Sequence, residues 1–261
     1  MSSLLEIPPG VAHLWYVFHE EIQDPGLLAA YRDLMTPEEA ERQARFYFPK
    51  GRHEHLVTRA LVRTTLSRYA PVDPRDWRFV AGDKGRPEIA APTGNARLRF
   101  NLSHTEGLIA CLVTLDHEVG VDVEFVDRPS STVDVADRFF SPHEVRELRA
   151  QPAERQRDRF FDYWTLKESY IKARGMGLSL PLDQFSFHLG SEGLAAETRP
   201  MRARDDIEIS FDLQLVDDPE SWQFALWSPS TRHRMAAGVR KGRGATPFKI
   251  ELRQTVPLTG R

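Results

Sequence analysis

Apolar and polar positions along the chain alternate between a strand-like and a helix-like spacing. Residues 11–18 (VAHLWYVF) form an apolar, β-favouring run and are predicted to be a strand. In the next segment, TPEE, Thr36 can cap a helix, Pro37 suits its first position and Glu39 completes a capping box. This helix is predicted to run toward Phe48.

A longer helix is expected at 53–69, after a break at Pro49 to Gly51, because apolar residues recur there at helical spacing. Short apolar runs separated by turn residues follow it and indicate strands. These runs are WRFV, RLRFNLS, GLIACLVTL and GVDVEFV.

The second part of the chain repeats this order after a predicted connection at 126–131 (VDRPSS). SPHE at 141–144 is again a capped helix start, and a long helix at about 154–174 is predicted to end at Gly175, a residue suited to a left-handed terminus. The strand-like runs that follow are DQFSFHL, IEISFDLQLV, WQFALWS and RMAAGVR.

The repeated order predicts an α+β fold made of two duplicated subdomains. We place the amino-terminal half at 1–118 and the carboxy-terminal half at 119–261. A cleft is expected at the junction of the halves, where binding sites commonly form.

Composition narrows the class of protein. Of the 261 residues, 41% are hydrophobic and 28% are charged, which is typical of a globular protein. A net charge of -3 argues against general nucleic-acid binding, and the basic residues are mostly Arg, which grips phosphate or carboxylate groups well. The single cysteine, Cys111, excludes an internal disulfide and is expected to be buried. The amino terminus indicates neither secretion nor a membrane span, so a cytoplasmic location is expected.

Two acidic residues mark the run GVDVEFV. On a strand, Asp122 and Glu124 project from the same face, roughly 7 Å apart. This face is either an ordinary solvent-exposed one or a site for a hard divalent ion such as magnesium.

The segment YWTLKESYIK places Trp164, Glu168 and Lys172 on one helical stripe. Glu168 and Lys172 are either a surface ion pair or, because the flanking residues are largely apolar, part of an enclosed site in which the acid needs a cation.

Two further segments carry candidate chemistry. In NLSHTEG, Ser103 and His104 are adjacent and no nucleophile elbow surrounds the serine, so a hydrolase triad is not indicated. His104 is either a structural histidine or a donor to an anion. In DKGRPEI, Lys84 and Arg86 flank a turn that is either a solvated loop or a phosphate site.

The motifs taken together resemble the 4'-phosphopantetheinyl transferases of the Sfp type. The resemblance covers residues 36–190 and rests on GVDVE, WTLKESYIK and FNLSH, with further similarity in KGRP, RFFSPHEVREL and GLSLPLDQFSF.

This resemblance implies transfer of the phosphopantetheine arm of coenzyme A to a serine of an apo acyl carrier or peptidyl carrier protein, leaving 3',5'-ADP. It implies a monomer whose pseudo-twofold α+β halves hold coenzyme A between them. Magnesium is the implied ion, with manganese as the alternative, and neither nucleic acid nor a membrane is an expected partner. Fatty acid, polyketide and nonribosomal peptide carriers all remain open.

The resemblance also implies the role of each site residue, motif by motif. Asp122, Glu124 and Glu168 correspond to the metal ligands, Glu168 is also the base, and Lys172 stabilises the pyrophosphate, so that Asp122, Glu168 and Lys172 are the implied catalytic group. The implied coenzyme A contacts, besides Lys172, are Arg42, Arg59, Lys84, Gly85, Arg86, Pro87, Ser103 and His104.

The chain departs from the family near the 3'-phosphate, where Glu38 and Glu39 stand in place of a lysine that some members have. The segment 139–148 and the connection before it are the expected docking surface for the carrier protein.

Two other readings stay open at this point. A magnesium-dependent phosphohydrolase of nucleotides or coenzyme A would release phosphate without a carrier. A non-catalytic module would bind coenzyme A or carriers without forming product.

Overall fold

The computed structural model describes residues 4–82, 84–95, 97–128, 133–189 and 203–259. The α-helices in this part of the chain are α1 (Pro25–Arg32), α2 (Pro37–Ala44), α3 (Pro49–Leu66), α4 (Ala136–Phe139), α5 (Pro142–Arg149) and α6 (Ala153–Arg174). The strands are β1 (Val11–Val17), β2 (Arg78–Ala81), β3 (Pro87–Ala91), β4 (Leu98–Thr105), β5 (Leu108–Leu115), β6 (Val119–Phe125), β7 (Phe185–Leu189), β8 (Ile207–Phe211), β9 (Trp222–Ser230), β10 (His233–Arg240) and β11 (Lys249–Gln254). The fold is therefore α+β, as predicted.

The helix boundaries follow local sequence signals. Both predicted capping boxes are present, one at the start of α2 and one at the start of α5. The helix α6 ends at Gly175, whose φ of 64° is the predicted left-handed terminus. The predicted break at Pro49 to Gly51 is wrong, since Pro49 is the first residue of α3. Proline fits the first turn of a helix, where its missing N–H would have no partner, so α3 begins at this residue. Helix α2 ends before the predicted end at Phe48.

One compact unit consists of residues 1–116 and 249–261. Its sheet has the strand order β11-β1-β5-β4, in which β1 is parallel to β11 and antiparallel to β5. The β1–β11 ladder joins residues 249–261 to this unit, whereas the sequence pattern predicts them in the carboxy-terminal half. Helix α3 packs on the sheet, and Cys111 of β5 is buried in the shared core as expected.

The other unit spans His117–Phe248. Its sheet has the order β6-β10-β9, and β7 and β8 form a separate hairpin. Strand β8 is shorter than the predicted run, because it ends at Phe211 and leaves Leu213 and Val216 exposed. Helix α6 lies against β6 and β10 and is surrounded by an aromatic core.

A close contact between α6 and β6 requires a glycine. A Cβ atom added to Gly120 would lie 2.0 Å from the carbonyl oxygen of Ser169 and 2.4 Å from the backbone nitrogen of Ala173. Gly238 faces Gly120 across the β6–β10 ladder. The missing side chains let the helix backbone approach the sheet, which sets the position of every side chain on this face of α6.

The predicted duplication of the halves, including a cleft at their junction, stays a prediction. Residues 129–131 of the predicted connection lie outside the described residues. In the part of the chain that the structure describes, no helix is both long and apolar enough to cross a bilayer.

Candidate active site

Strand β6 presents its two acids to helix α6. Asp122 is 4% exposed, and the side chain of Glu124 is 12% exposed, although β6 is an edge strand. The face on which they lie is covered by α6, so the alternative of an ordinary solvent-exposed face is wrong. Buried carboxylates at such positions need positive charge or hydrogen-bond donors nearby.

Helix α6 supplies the remaining members of this acid site, which we define as Asp122, Glu124, Glu168 and Lys172. The Lys172 ammonium nitrogen lies 2.6 Å from Oδ1 of Asp122. Lys172 thus pairs across to the strand, and its charge also acts on Glu168 one turn before it on α6. Trp164, one turn before Glu168, hydrogen-bonds Glu124. The stripe predicted on α6 therefore faces the acid face of β6.

Burial and the charge of Asp122 raise the pKa values of the two glutamates of this site. Burial raises the pKa of Glu168 to about 7, and the charge of Asp122 adds to the shift while Lys172 opposes it. Burial also raises the pKa of Glu124 to about 7, again with help from Asp122 and against the opposing charge of Arg128. Arg128 reaches Glu124 at 3.0 Å. By formal charge, three carboxylates in this site face two cations, Lys172 and Arg128.

The excess of carboxylates over cations raises the question of whether a metal ion fits this site. Among the described residues, no three His, Cys, Asp or Glu side chains are arranged as a ready metal-binding group. The donor chemistry nevertheless fits a hard divalent cation, since Asp122 interacts with both glutamates and carboxylates are ligands that magnesium prefers. Added positive charge would oppose both causes that raise the two glutamate pKa values, burial first and the charge of Asp122 second.

The residue just before Glu168 has a different environment. Lys167 is fully buried and donates from Nζ to Glu144 at 2.8 Å and to the carbonyl oxygens of Leu182 and Phe185, each at 2.7 Å. Glu144 in turn accepts from the backbone N–H groups of Ser141, at 3.0 Å, and of Phe187, at 2.9 Å. This buried pair ties α6 to α5, to the turn before β7 and to β7 itself.

The predicted coenzyme A contacts other than Lys172 lie in the first unit, where the structure brings some of them together. Arg42 lines an open groove of about 630 Å³ on α2 together with Glu38 and Phe46. Arg59 on α3 lies 3.5 Å from Glu39.

The role of Glu39 is now defined. It belongs to the capping box of α2 and also accepts from the buried Arg63 at 2.8 Å. Glu39 therefore serves α2 and α3 structurally and partly neutralises Arg59, rather than projecting from the surface as a bare acid.

The predicted turn of Lys84, Gly85, Arg86 and Pro87 closes the β2–β3 hairpin. Gly85 has a φ of 79°, and its N–H donates to the carbonyl oxygen of Gly82 at 2.8 Å. Arg86 donates to the carbonyl oxygen of Phe100 at 3.3 Å, so the turn leans on β4. Lys84 is exposed.

The neighbours Ser103 and His104 lie on opposite faces of β4, as their adjacency predicts. Ser103 is 5% exposed, whereas the His104 side chain is 53% exposed. The His104 ring is therefore accessible to a ligand, and its two predicted roles, a structural histidine or a donor to an anion, both stay predictions. Its Nδ1 atom lies 2.8 Å from a carboxylate oxygen of Glu54.

Sequence reasoning missed Glu54 and His55. Burial lowers the pKa of His55 to about 4, with further lowering from the charges of Arg59 and Arg42, so this ring lies neutral among cations. The signal was available: the run HEH on α3 puts His55 one helical turn before Arg59.

Comparisons with known proteins agree with these motifs. The family model for the 4'-phosphopantetheinyl transferase superfamily matches residues 118–229, and the model for a 4'-phosphopantetheinyl transferase N-terminal region matches 25–115. The chain is similar to the 4'-phosphopantetheinyl transferase HetI of Nostoc sp., with 35% identity over 171 residues, covering 64% of this chain and 70% of the relative.

The chain is also similar to two further phosphopantetheinyl transferases. The 4'-phosphopantetheinyl transferase Sfp of Bacillus subtilis is 37% identical over 164 residues, covering 62% of this chain and 70% of its own length. A phosphopantetheinyl transferase of Thraustochytrium sp. is 33% identical over 196 residues, covering 70% and 67% of the two chains.

Proposed function

The chain belongs to the 4'-phosphopantetheinyl transferase family, and from this premise we propose how its residues carry out the reaction. The enzyme transfers the phosphopantetheine group to carrier proteins, with coenzyme A as the donor. The observation that carries the proposal is the meeting of Asp122, Glu168 and Lys172 between β6 and α6. The other product is 3',5'-ADP.

We assign a magnesium ion to the carboxylates of Asp122, Glu124 and Glu168, with manganese as a substitute. When bound, such an ion neutralises charge on the pyrophosphate of coenzyme A. This assignment rests on the donor chemistry and on the excess of carboxylates over cations described above.

The protein's own groups then have the following roles. The carrier serine oxygen attacks the phosphorus that bears the pantetheine arm, and the bond from this phosphorus to the bridging oxygen breaks. Glu168 accepts the serine proton, because a protonated hydroxyl is a poor nucleophile and a carboxylate beside it acts as the base. Lys172 stabilises the negative charge that moves onto the departing 3',5'-ADP.

In the first unit, we propose that Arg42, Arg59, the 84–87 turn, Ser103 and His104 bind coenzyme A. The half-buried Arg86 and the exposed His104 carry N–H donors suited to phosphate oxygens. The neutralisation of Arg59 by Glu39 leaves Arg42 as the stronger candidate for the 3'-phosphate.

The carrier protein is proposed to dock on segment 139–148. Arg146 on α5 is exposed there and can pair with an acidic carrier. Reversal of its charge in Arg146→Glu should raise the apparent KM for apo carriers, and an unchanged KM for every carrier would show that this face is the wrong one.

The test of the residue assignment is to mix the enzyme with coenzyme A, magnesium and an apo carrier and to weigh the carrier by mass spectrometry. The carrier should gain the mass of one phosphopantetheine group. A chelator should abolish this gain, and Glu168→Ala should nearly abolish it. Full transfer by Glu168→Ala, or in excess chelator, would overturn the proposed roles of Glu168 and of the metal.

A further inference from the structure

The carboxylate of Glu54 on α3 lies between two histidines of the first unit. One oxygen lies 2.8 Å from Nδ1 of His104, and the other lies 3.9 Å from Nε2 of His19. The Glu54 side chain is 21% exposed, whereas the His104 side chain at the end of β4 is 53% exposed. A mostly buried acid thus holds a mostly exposed histidine ring.

The contact with His19 is the weaker one. Burial lowers the pKa of His19, which keeps this fully buried ring neutral. The backbone N–H of Gly107 donates to the same Nε2 atom at 3.0 Å. The carbonyl oxygen of Thr105 also lies 3.3 Å from this atom. At 3.9 Å from Glu54, Nε2 is too far for a hydrogen bond, and a neutral ring makes no ion pair.

The contact with His104 has defined consequences for the ring. With Nδ1–H donating to the carboxylate, the other nitrogen, Nε2, points away from Glu54. The two ring nitrogens of histidine are distinguished in this way by the partner that one of them holds. When both ring nitrogens carry hydrogens, Nε2–H is a donor that can reach an anion while Nδ1–H stays on Glu54.

Charges around the pair fit this role. Burial alone would raise the pKa of the Glu54 carboxyl, but the hydrogen bond and charge of His104, with smaller contributions from His19 and Lys50, lower it below its ordinary value, so this acid is ionised. On the same helix, His55 is neutral and adds no competing positive charge. Glu54 is therefore the carboxylate that orients His104.

We propose that Glu54 is a positioning residue that fixes the His104 ring, so that its Nε2–H donates to a phosphate group of coenzyme A. The inference rests on the proposed function, in which His104 contacts the donor. Glu54 itself acts only through His104 and touches no reacting atom.

The test compares steady-state kinetics of Glu54→Gln, His104→Ala and the double variant, at saturating carrier and varied coenzyme A. Glutamine keeps the size of the side chain but removes its charge. The KM for coenzyme A should rise about tenfold in Glu54→Gln, with kcat within about twofold of the native value. The double variant should match His104→Ala, because the effect of Glu54 runs through that ring.

The matched control is Asp116→Asn in the same unit. Asp116 pairs with Arg97 at 2.8 Å, as Glu54 pairs with His104, but it lies at the opposite end of the β4–β5 ladder. The KM of the Asp116→Asn variant for coenzyme A should stay unchanged. A thermal melt of each variant checks that it is folded.

Several results would overturn the proposal. An unchanged KM in Glu54→Gln while His104→Ala raises it would refute the positioning role and leave the proposed coenzyme A contact intact. Additive effects in the double variant, or a change in kcat alone, would also refute it. An unchanged KM in His104→Ala would overturn both the contact and the positioning role.

Discussion

Two acid clusters lie against α6, and they differ in how their charge is balanced. Glu144 is fully buried, yet Lys167 and two backbone N–H groups satisfy its carboxylate. Asp122, Glu124 and Glu168 are also largely buried, but the pKa of each glutamate is raised to about 7. Lys167 and Glu168 are adjacent on one helix, yet Lys167 belongs to the cluster whose charges are balanced and Glu168 to the cluster whose charges are not.

The difference separates a structural cluster from a binding one. A buried acid whose partners are all present holds elements together and has no capacity left for a ligand. A buried group of acids with too little positive charge is unfavourable by itself and gains most from a cation. The comparison supports a stabilising role for Lys167 and the proposed catalytic role of Glu168.

The largest effect is expected in Glu168→Gln. Loss of the base and of a metal carboxylate should cost several kcal/mol of barrier, that is, at least ~hundredfold in kcat. Without divalent cations, the thermal midpoint should stay the same or rise, because one repelling buried charge is gone. Transfer assays and thermal melts together check this, and a lower midpoint with normal activity would reverse the assignment.

The second prediction concerns the balanced cluster. Lys167→Met leaves the Glu144 carboxylate buried without its cation, which should destabilise the fold by ~3–5 kcal/mol. Adding Glu144→Gln removes the stranded charge but keeps hydrogen-bonding groups, so the double variant should be more stable than Lys167→Met. Urea unfolding measures both. If Lys167→Met unfolds at the native midpoint, the pair of Lys167 and Glu144 does not stabilise the fold.

A smaller effect is expected where the helix meets the strand. Gly120→Ala forces a Cβ against backbone atoms of α6, so the helix must shift, at a cost of ~1–3 kcal/mol. Gly238→Ala is the matched control on the paired strand. Its Cβ would meet the ring edge of Phe224 at 2.8 Å, a side chain that can move. Equal unfolding midpoints for the two variants would contradict this explanation of the close contact.

Much of the fold could be predicted because its signals are local. The capping boxes at Thr36 and Ser141 and the terminator Gly175 act within a few residues, and all three are confirmed. The predicted strand runs also formed, since alternation and β-branched residues are local features.

The missed features depend on contacts that are distant in sequence. Strand β11 forms because β1 offers it a parallel edge, which no local pattern of KIELRQ reveals. The pairing of Glu54 with His104 likewise needs α3 to lie beside β4. Within the acid site, the resemblance of the motifs indicated which residues belong together. The imbalance between their charges could be seen only from the burial of the side chains and the distances between them.

The most direct test of the account is divalent-cation binding, followed by the electron paramagnetic resonance of added Mn²⁺. The account predicts one saturable site that Mg²⁺ displaces, weakened at least ~tenfold in Asp122→Asn, Glu124→Gln and Glu168→Gln, and unchanged in Glu144→Gln. Native-like Mn²⁺ affinity in all three acid-site variants, or no saturable site in the native enzyme, would contradict it.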